Sequence, residues 1–251
     1  HVAAWSRVTR AVHEAGGQIA CQLMHCGRVG HPDNKAAGAR LLGPSAIAAR
    51  AEIFTEGGMK AMPTPEPMSL DDIDQVIADY GLAAERCLSA GFDAVELHCA
   101  SGYLPGQFLA SGSNHRGDEY GGSLSNRLRF IERVLDALDT AIGIGRVGLR
   151  ISPGNPYNDH VDANPEVTYA GLLQLAELKG VAWVHAIRMA STGIDSLALT
   201  RAHYSGALIG SDSYTAEEAD TSIGNGLVDA VSFGRLYIAN PDLVERFKRG
   251  G

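Results

Sequence analysis

The sequence predicts an α/β protein of the (β/α)8 TIM-barrel class, N-terminally incomplete, with about six of the eight strands present. Three observations predict this class. Short, near-continuous apolar runs, typical of parallel strands covered on both faces, alternate with amphipathic helical patterns. No G-x-G-x-x-G lies at a strand-to-helix turn, as a Rossmann fold would require. Glycines suited to phosphate binding lie instead near the C-terminus, at Gly210 and Gly234, as in barrels whose last two loops hold a phosphate.

The apolar runs define six predicted strands in what we expect to be one domain covering residues 1–251. They are residues 18–23, 94–97, 147–151, 182–186, 207–209 and 230–233. A complete barrel has eight strands. The chain opens directly in a helical pattern, residues 5–14, so we expect the missing strand, helix and strand to belong before His1.

Helical spacing marks the segments between the strands. Ser69 and Asp72 resemble a capping box, and the apolar residues that follow recur at i, i+3, i+4 and i+7. Similar patterns predict helices over residues 124–142, 165–178 and 215–223, and a terminal helix from Pro241. The segment 28–67, rich in Gly and Pro, is long for a strand-to-helix connection, which predicts a functional lid.

Composition indicates a globular protein with one large core. The 251 residues are 45% hydrophobic and 20% charged, and the net charge is −8. This charge argues against a nucleic-acid surface, which is usually basic. No apolar run approaches a membrane span and no signal-peptide pattern opens the chain, so we expect no membrane contact and a cytoplasmic location.

The four cysteines give no metal-binding pattern. None of Cys21, Cys26, Cys87 and Cys99 forms a C-x-x-C pair, and we interpret them as reduced thiols that pack. The sequence therefore predicts no metal site.

Polar residues collect where the predicted strands end, which is where barrel enzymes place their catalytic groups. The segments concerned are 22–28, 98–103, 150, 185–188, 211–213 and 234–235. A glutamine amide, arginines and a His/Tyr pair suit a planar anionic cofactor better than hydrolysis. The paired carboxylates of a glycosidase and the G-x-S-x-G of a hydrolase are both missing from the sequence.

Motifs along nearly the whole chain carry a family resemblance. They are Ala4-Trp5 with Val12-His13, Gln22-Leu23-x-His25-x-Gly27-Arg28, Gly43-Pro44-Ser45-Ala46, Gly91-Phe92-Asp93 through Tyr103, Gln107-Phe108-Leu109, Ser113-Asn114-His115-Arg116, Tyr120-Gly121-Gly122-Ser123 with Asn126-Arg127, Gly148-Leu149-Arg150-x-Ser152-Pro153, and Phe233-Gly234-Arg235 with Ile238 to Leu243. In this order they resemble the old yellow enzyme family of FMN-dependent ene-reductases, in its N-ethylmaleimide and nitrate-ester reductase branch. The resemblance implies a TIM barrel, FMN, NAD(P)H as reductant, and reduction of activated alkenes, nitro compounds or nitrate esters.

The resemblance also implies which residues bind the cofactor. Gln22 would bind the polar edge of the flavin, and Arg150 would lie near flavin N1, where a positive charge stabilises the reduced form. Gly234 and Arg235 would hold the FMN phosphate, together with the turn that contains Asp212 and Ser213.

Two residues match the family's catalytic pair. His98 would hydrogen bond to the substrate's carbonyl or nitro oxygen and so favour hydride attack from flavin N5. Tyr103 would deliver the proton on the opposite side. The segments 114–116 and 120–122 are interpreted as structural, and His185 as a packing residue.

Three positions depart from the family pattern. Ser101 stands where the family has Asn or His, a second donor to the substrate oxygen, and we expect weaker polarisation. Met24 replaces a tryptophan and should enlarge the substrate pocket. Asp212 replaces a glycine at the phosphate turn and should weaken FMN binding unless it points away.

The sequence leaves alternatives open. Ser101 gives some support to a flavin isomerase or dehydrogenase on the same fold. Asp212 and the missing strands allow a truncated relative with weak or no FMN binding. The expected partner is a small-molecule substrate, and the chain could be a monomer or a homodimer. The choice between NADH and NADPH stays open.

Overall fold

The computed structural model describes residues 1–250, which contain nine α-helices and ten β-strands. The helices are α1 Val2–Glu14, α2 Leu70–Ser89, α3 Leu104–Leu109, α4 Leu124–Ile142, α5 Pro165–Lys179, α6 Ser196–His203, α7 Ala216–Gly224, α8 Arg235–Ala239 and α9 Leu243–Lys248. The strands are β1 Ala20–Leu23, β2 Leu42–Gly43, β3 Glu52–Thr55, β4 Gly58–Ala61, β5 Glu66–Pro67, β6 Ala94–Cys99, β7 Val147–Ile151, β8 Trp183–Ile187, β9 Ala207–Ser211 and β10 Ala230–Ser232.

Six of the strands form one parallel sheet in chain order, β1-β6-β7-β8-β9-β10. Every neighbouring pair is parallel, and helices connect the strands along the chain, as in a TIM barrel that lacks some strands. The predicted fold class and the six predicted strands are confirmed, and each predicted strand end lies within two residues of the observed one.

The strands divide their side chains between two faces, because successive residues point to opposite sides of a sheet. On β6, Val95, Leu97 and Cys99 are fully buried and belong to the main core. Glu96 and His98 alternate with them and therefore point to the concave interior of the sheet. The two polar side chains of β6 therefore lie on the inner, concave side of the six-stranded sheet.

The segment 28–67, which the sequence predicts as a lid, contains regular secondary structure. It contains the parallel pair β2–β5 and the antiparallel hairpin β3–β4. Arg28, only 1% exposed, fixes its start because the guanidinium donates to the carbonyl oxygens of Asp159, at 2.7 Å, and Ile47, at 3.3 Å. A lid role for this segment stays a prediction.

The loop after α3 has the structural role that the sequence predicts. Asn114 Nδ2 donates to the carbonyl oxygens of Phe108 and Tyr120, each at 2.7 Å. Arg116 donates to the carbonyl oxygens of Pro44 and Met68. These bonds tie the loop to the elements on both sides of it.

Some element boundaries differ from the sequence predictions. The terminal helix α9 begins at Leu243, two residues after Pro241, because Asp242 takes the N-cap position. The helices α3, α6 and α8 have no sequence prediction; each spans no more than eight residues, too short for a clear helical period. Within residues 1–250 no helix is both long and apolar enough to span a membrane.

Candidate active site

A cleft of about 700 Å³ opens at the C-terminal ends of the parallel strands. Six residues that the sequence predicts as site residues line it together: Ser101, Arg150, Asp212, Ser213, Gly234 and Arg235. They lie on or directly after the C-terminal ends of four different strands, and the parallel arrangement brings these ends to one edge of the sheet. The site is therefore a product of the fold and not of one sequence segment.

Arg150 projects from β7 as a positive charge without a counter-charge. Among residues 1–250 it has no ion-pair partner, and its Nε atom is buried without a hydrogen bond. Burying a polar atom without a hydrogen-bond partner costs free energy. We therefore expect the Arg150 guanidinium to bind an anionic or strongly accepting group.

The turn after β9 has an unusual backbone that Arg188 holds in place. Asp212 and Ser213 both adopt positive φ, at 77° and 56°. Arg188 donates to the carbonyl oxygens of these two residues at 2.8 and 2.6 Å, and its guanidinium lies 3.5 Å from the ring centre of Tyr214. Gly210 leaves room for that ring, since a Cβ there would lie 2.6 Å from the Tyr214 hydroxyl.

Asp212 does not point away from the phosphate turn. Its Oδ1 atom accepts a hydrogen bond at 3.0 Å from the guanidinium of Arg235, the residue that the resemblance assigns to the phosphate. Next to it, Gly234 would contact no protein atom within 4 Å if it carried a Cβ, so space is open there. A bound phosphate would compete with Asp212 for Arg235.

His98 is a buried, neutral imidazole beside the cleft. It is 6% exposed, and burial, helped by the nearby positive charge of Arg150, lowers its pKa to about 4. Its Nδ1 atom is buried and makes no hydrogen bond within residues 1–250. Since His98 pairs with Arg150 in the register of β6 and β7, the two side chains with unpartnered nitrogen atoms are neighbours.

Tyr103 follows His98 at the start of α3 and faces it. The two ring centres lie 5.1 Å apart with an angle of 44° between the planes. Burial is the main cause that raises the pKa of the Tyr103 hydroxyl, with a further contribution from Cys26, while a hydrogen bond from Asn158 opposes it. The phenol therefore stays protonated at neutral pH and can donate its proton.

Ser101 lies between His98 and Tyr103 in the sequence and has a strained backbone conformation. Its φ is 55°, which a non-glycine residue adopts only when its surroundings impose it. Its N–H donates to Ser152 Oγ at 2.8 Å, and its carbonyl oxygen accepts from Asn158 Nδ2 at 2.8 Å. Asn158, itself at a φ of 58°, has no sequence prediction, because the contact joins residues 57 positions apart.

Four predicted site residues do not line the cleft: His98, Tyr103, Gln22 and Met24. Gln22 and Met24, on and just after β1, line a separate cavity of about 350 Å³ between β1 and α2. Met24 is 50% exposed, and its assignment to the substrate pocket stays a prediction. Gln22 remains connected to the cleft because its amide donates to Glu96 Oε1 at 2.7 Å.

The interpretation of His185 as a packing residue is wrong. His185 lines the cleft and uses both ring nitrogens, with Nδ1 3.0 Å from Glu96 Oε2 and Nε2 2.7 Å from Ser232 Oγ. Sequence reasoning missed Glu96 and Ser232 as well. A signal for Glu96 exists in the sequence: it is the one acidic residue in the apolar run 94–97, two positions before His98 and on the same face.

The donor set of the cleft fits FMN. Its volume lies in the range of sites for molecules of this size. The unpartnered Arg150 guanidinium suits the electron-rich edge of a flavin, and Arg235 with the open space at Gly234 suits a phosphate. Arg150, Ser213, Gly234 and Arg235, which line the cleft, would hold the group, and a flavin contact of Gln22, which lines the separate cavity, stays a prediction.

Comparison with known proteins agrees with this geometry. The family model described as "NADH:flavin oxidoreductase / NADH oxidase family" matches residues 1–251. The chain belongs to this FMN-dependent oxidoreductase family. A curated relative from Leishmania infantum, named probable flavin mononucleotide-dependent alkene reductase, is 41% identical over 100% of this chain and 70% of its own length.

Solved structures show the same relationship. A variant of morphinone reductase in complex with tetrahydroNAD has a TM-score of 0.93 at 39% identity, over 99% of this chain and 70% of that one. The old yellow enzyme homologue from Zymomonas mobilis also has a TM-score of 0.93, at 34% identity, over 100% of this chain and 72% of that one. The old yellow enzyme resemblance is confirmed, with FMN as cofactor and a nicotinamide nucleotide as reductant.

Replacing Asp212 by glycine is expected to tighten FMN binding. The change frees Arg235 for the phosphate and removes a carboxylate from its surroundings, so the FMN Kd should fall about tenfold. Quenching of FMN fluorescence during titration with the protein measures this. Asp212→Asn is the matched control, because asparagine tolerates the positive φ of 77° but carries no charge. If neither variant binds FMN more tightly than the wild type, the carboxylate does not oppose the phosphate.

Proposed function

We propose that this chain is an NAD(P)H-dependent FMN oxidoreductase whose substrates are activated alkenes such as α,β-unsaturated carbonyls, nitro compounds or nitrate esters, the activated alkenes being the leading class. The observation that carries the proposal is the His98–Tyr103 pair, with ring centres 5.1 Å apart, next to a cleft that fits FMN. The alkene reductase name of the Leishmania relative supports it. We further propose that residues 1–251 act as a single FMN-binding domain.

His98 anchors the substrate in this proposal. Because its pKa is about 4, the imidazole is neutral at physiological pH and donates one N–H to the carbonyl or nitro oxygen. The neighbouring guanidinium of Arg150 makes the site electropositive. Withdrawal of electron density through this hydrogen bond makes the β-carbon of the alkene more electrophilic.

Tyr103 is the proton donor. The phenol is protonated at neutral pH, burial raises its pKa further, and its ring lies beside that of His98, so that both side chains can reach one substrate. FMN, when held by the proposed residues, would supply a hydride for the β-carbon. Tyr103 then gives its proton to the α-carbon, which completes the addition of two hydrogens across the double bond.

Arg150, Gln22, Gly234 and Arg235 are the proposed cofactor-binding residues. Arg150 would stabilise negative charge on the reduced cofactor, and Gln22 would offer an amide donor and acceptor to its polar edge. The phosphate would lie against Ser213, Gly234 and Arg235. None of these residues transfers a proton in the proposed reaction.

Replacing Ser101 by asparagine is expected to raise the rate of enone reduction. The longer amide extends a second donor toward the substrate oxygen, and asparagine adopts the positive φ of 55° more readily than serine. One added hydrogen bond of about 1 kcal/mol corresponds to a roughly fivefold increase. Stopped-flow rates with 2-cyclohexen-1-one measure it. An unchanged rate contradicts the idea that Ser101 weakens carbonyl polarisation.

Anaerobic reoxidation tests the proposed function. The holoprotein is reduced with NADPH or NADH and mixed with 2-cyclohexen-1-one in a stopped-flow spectrometer. We expect the flavin absorbance to return with a rate that increases with enone concentration, and cyclohexanone to form in equal amount. The alternative, an isomerase or dehydrogenase on the same fold, to which Ser101 gives support, predicts no enone-dependent reoxidation.

A further inference from the structure

A hydrogen-bonded polar cluster lies at the cleft, on the concave side of the sheet, and two of its members, Glu96 and His185, are buried. Its members are Gln22 on β1, Glu96 on β6, Trp183 and His185 on β8, and Ser232 on β10. Glu96, His185 and Ser232 form a continuous chain, with Glu96 Oε2 3.0 Å from His185 Nδ1 and His185 Nε2 2.7 Å from Ser232 Oγ. The five side chains thus link four strands, and none of them transfers a hydride or a proton in the proposed reaction.

Glu96 is the centre of this cluster because three donors converge on its carboxylate. Oε1 accepts from Gln22 Nε2 at 2.7 Å, and Oε2 accepts from Trp183 Nε1 at 3.0 Å and from His185 Nδ1 at 3.0 Å. The residue is 8% exposed. A carboxylate buried to this degree is tolerated only when hydrogen bonds replace its hydration.

Trp183 reaches Glu96 only because the strand between them carries a glycine. Glu96, Gly148 and Trp183 are in register on β6, β7 and β8. A Cβ on Gly148 would lie 1.9 Å from Cε2 of the indole, so the ring lies directly over this position. The absence of a side chain at Gly148 lets the indole cross β7 and donate to the carboxylate.

The Glu96 carboxylate is ionised and can therefore only accept hydrogen bonds. Burial favours the neutral form, but hydrogen bonds and the charge interaction with His185, with further bonds from Trp183 and Gln22, hold the pKa of Glu96 at about 2. An acceptor at this place fixes the direction of each neighbour. The Gln22 amide must present its NH2 group to Glu96 and its oxygen elsewhere, and His185 must carry a proton on Nδ1.

We propose that Glu96 is a positioning residue for the cofactor. It orients the Gln22 amide toward the polar edge of the flavin and holds His185, which lines the cleft together with Ser232. The inference rests on the proposed FMN site and adds to it Glu96, which acts through its hydrogen bonds to Gln22 and His185. The negative charge of Glu96 also lies next to the residues that face the flavin, so it opposes the build-up of negative charge on the reduced cofactor.

Glu96→Gln tests the proposal, because it keeps the shape and removes the charge. The new amide NH2 group meets the donors of Gln22 and His185, so at least one of them must turn. We expect the FMN Kd to rise about tenfold, which is the effect of losing one charge-assisted hydrogen bond, and the flavin midpoint potential to become more positive. A purely structural role for Glu96 would not change the potential.

A surface carboxylate provides the matched control. Glu177 also accepts two hydrogen bonds, from Ser205 N at 2.9 Å and Ser205 Oγ at 2.7 Å, but it lies at the exposed end of α5. Glu177→Gln should change neither the FMN Kd nor the potential. In a Gln22→Leu background, Glu96→Gln should weaken FMN binding much less than in the wild type, because its effect through Gln22 is already lost.

A measurement on the wild type keeps the proposal testable if Glu96→Gln does not fold. In ¹⁵N-histidine-labelled holoprotein, the NMR shift of His185 should show a protonated Nδ1 at neutral pH. An unprotonated Nδ1 overturns the proposal, as does a folded Glu96→Gln protein with the FMN affinity and potential of the wild type. Because wild-type FMN binding is measured in the same series, failure of this proposal is distinguishable from failure of the FMN site.

Discussion

Replacing Tyr103 by phenylalanine is expected to slow the reduction of 2-cyclohexen-1-one by about a hundredfold to ten-thousandfold, the usual contribution of a positioned general acid. In the proposed mechanism the phenol protonates the α-carbon; it is protonated at neutral pH, and burial raises its pKa further. Reduction of the bound FMN by NADPH or NADH does not need this proton and should stay within about threefold of wild type. Stopped-flow measurement of the two half-reactions separates the effects.

Tyr204→Phe is the matched control for this change. It also removes a phenolic hydroxyl, one that donates to the carbonyl oxygen of Val181 at 2.6 Å between α6 and β8. The loss should lower the free energy of unfolding by about 1 kcal/mol without slowing enone reduction. If Tyr103→Phe retains the wild-type rate of flavin reoxidation by the enone, Tyr103 is not the proton donor.

Replacing His98 by alanine is expected to lower kcat/KM for enone reduction by about a hundredfold to a thousandfold. This range is the usual cost of losing one donor that stabilises charge developing on the substrate oxygen. Because burial and Arg150 hold the pKa of His98 at about 4, it is neutral from pH 5 to 8. The contribution of His98 to kcat/KM should therefore not change between pH 5 and 8. Steady-state kinetics of the variant and the wild type at three pH values measure both effects.

His98→Asn separates hydrogen bonding from shape, because asparagine keeps a donor near the same place. We expect it to recover part of the activity lost in the alanine variant. His115→Ala, at an exposed position in the loop after α3, serves as the histidine control and should behave as wild type. A rate for His98→Ala close to that of the control would remove His98 from the proposed mechanism.

The main sheet was predictable from the sequence because both sides of its strands are covered. Such strands are short apolar runs, and the six runs correspond to β1 and β6–β10. The elements within residues 28–67 were not predictable in this way. The strands β2 and β5 have two residues each and lie together only through the tertiary structure, so no period in the sequence marks them.

The part of the site that follows strand ends was also predictable. Arg150, Asp212 and Arg235 come together because the ends of parallel strands lie at one edge. The network at the cleft was not predictable, since Glu96 and His185 are 89 positions apart and their bond depends on strand register and on the glycine at 148. The orientation of Asp212 toward Arg235 likewise depends on backbone angles that a sequence does not reveal.

Titration of FMN with the purified apoprotein tests the central claim most directly, that the cleft between the ends of β7, β9 and β10 is an FMN site. Quenching of flavin fluorescence and the shift of the visible spectrum give the stoichiometry and the Kd. We predict saturation at one FMN per chain and a Kd that rises at least tenfold in Arg150→Ala, which removes the unpartnered guanidinium. A titration without saturation, or one that Arg150→Ala leaves unchanged, would contradict the account.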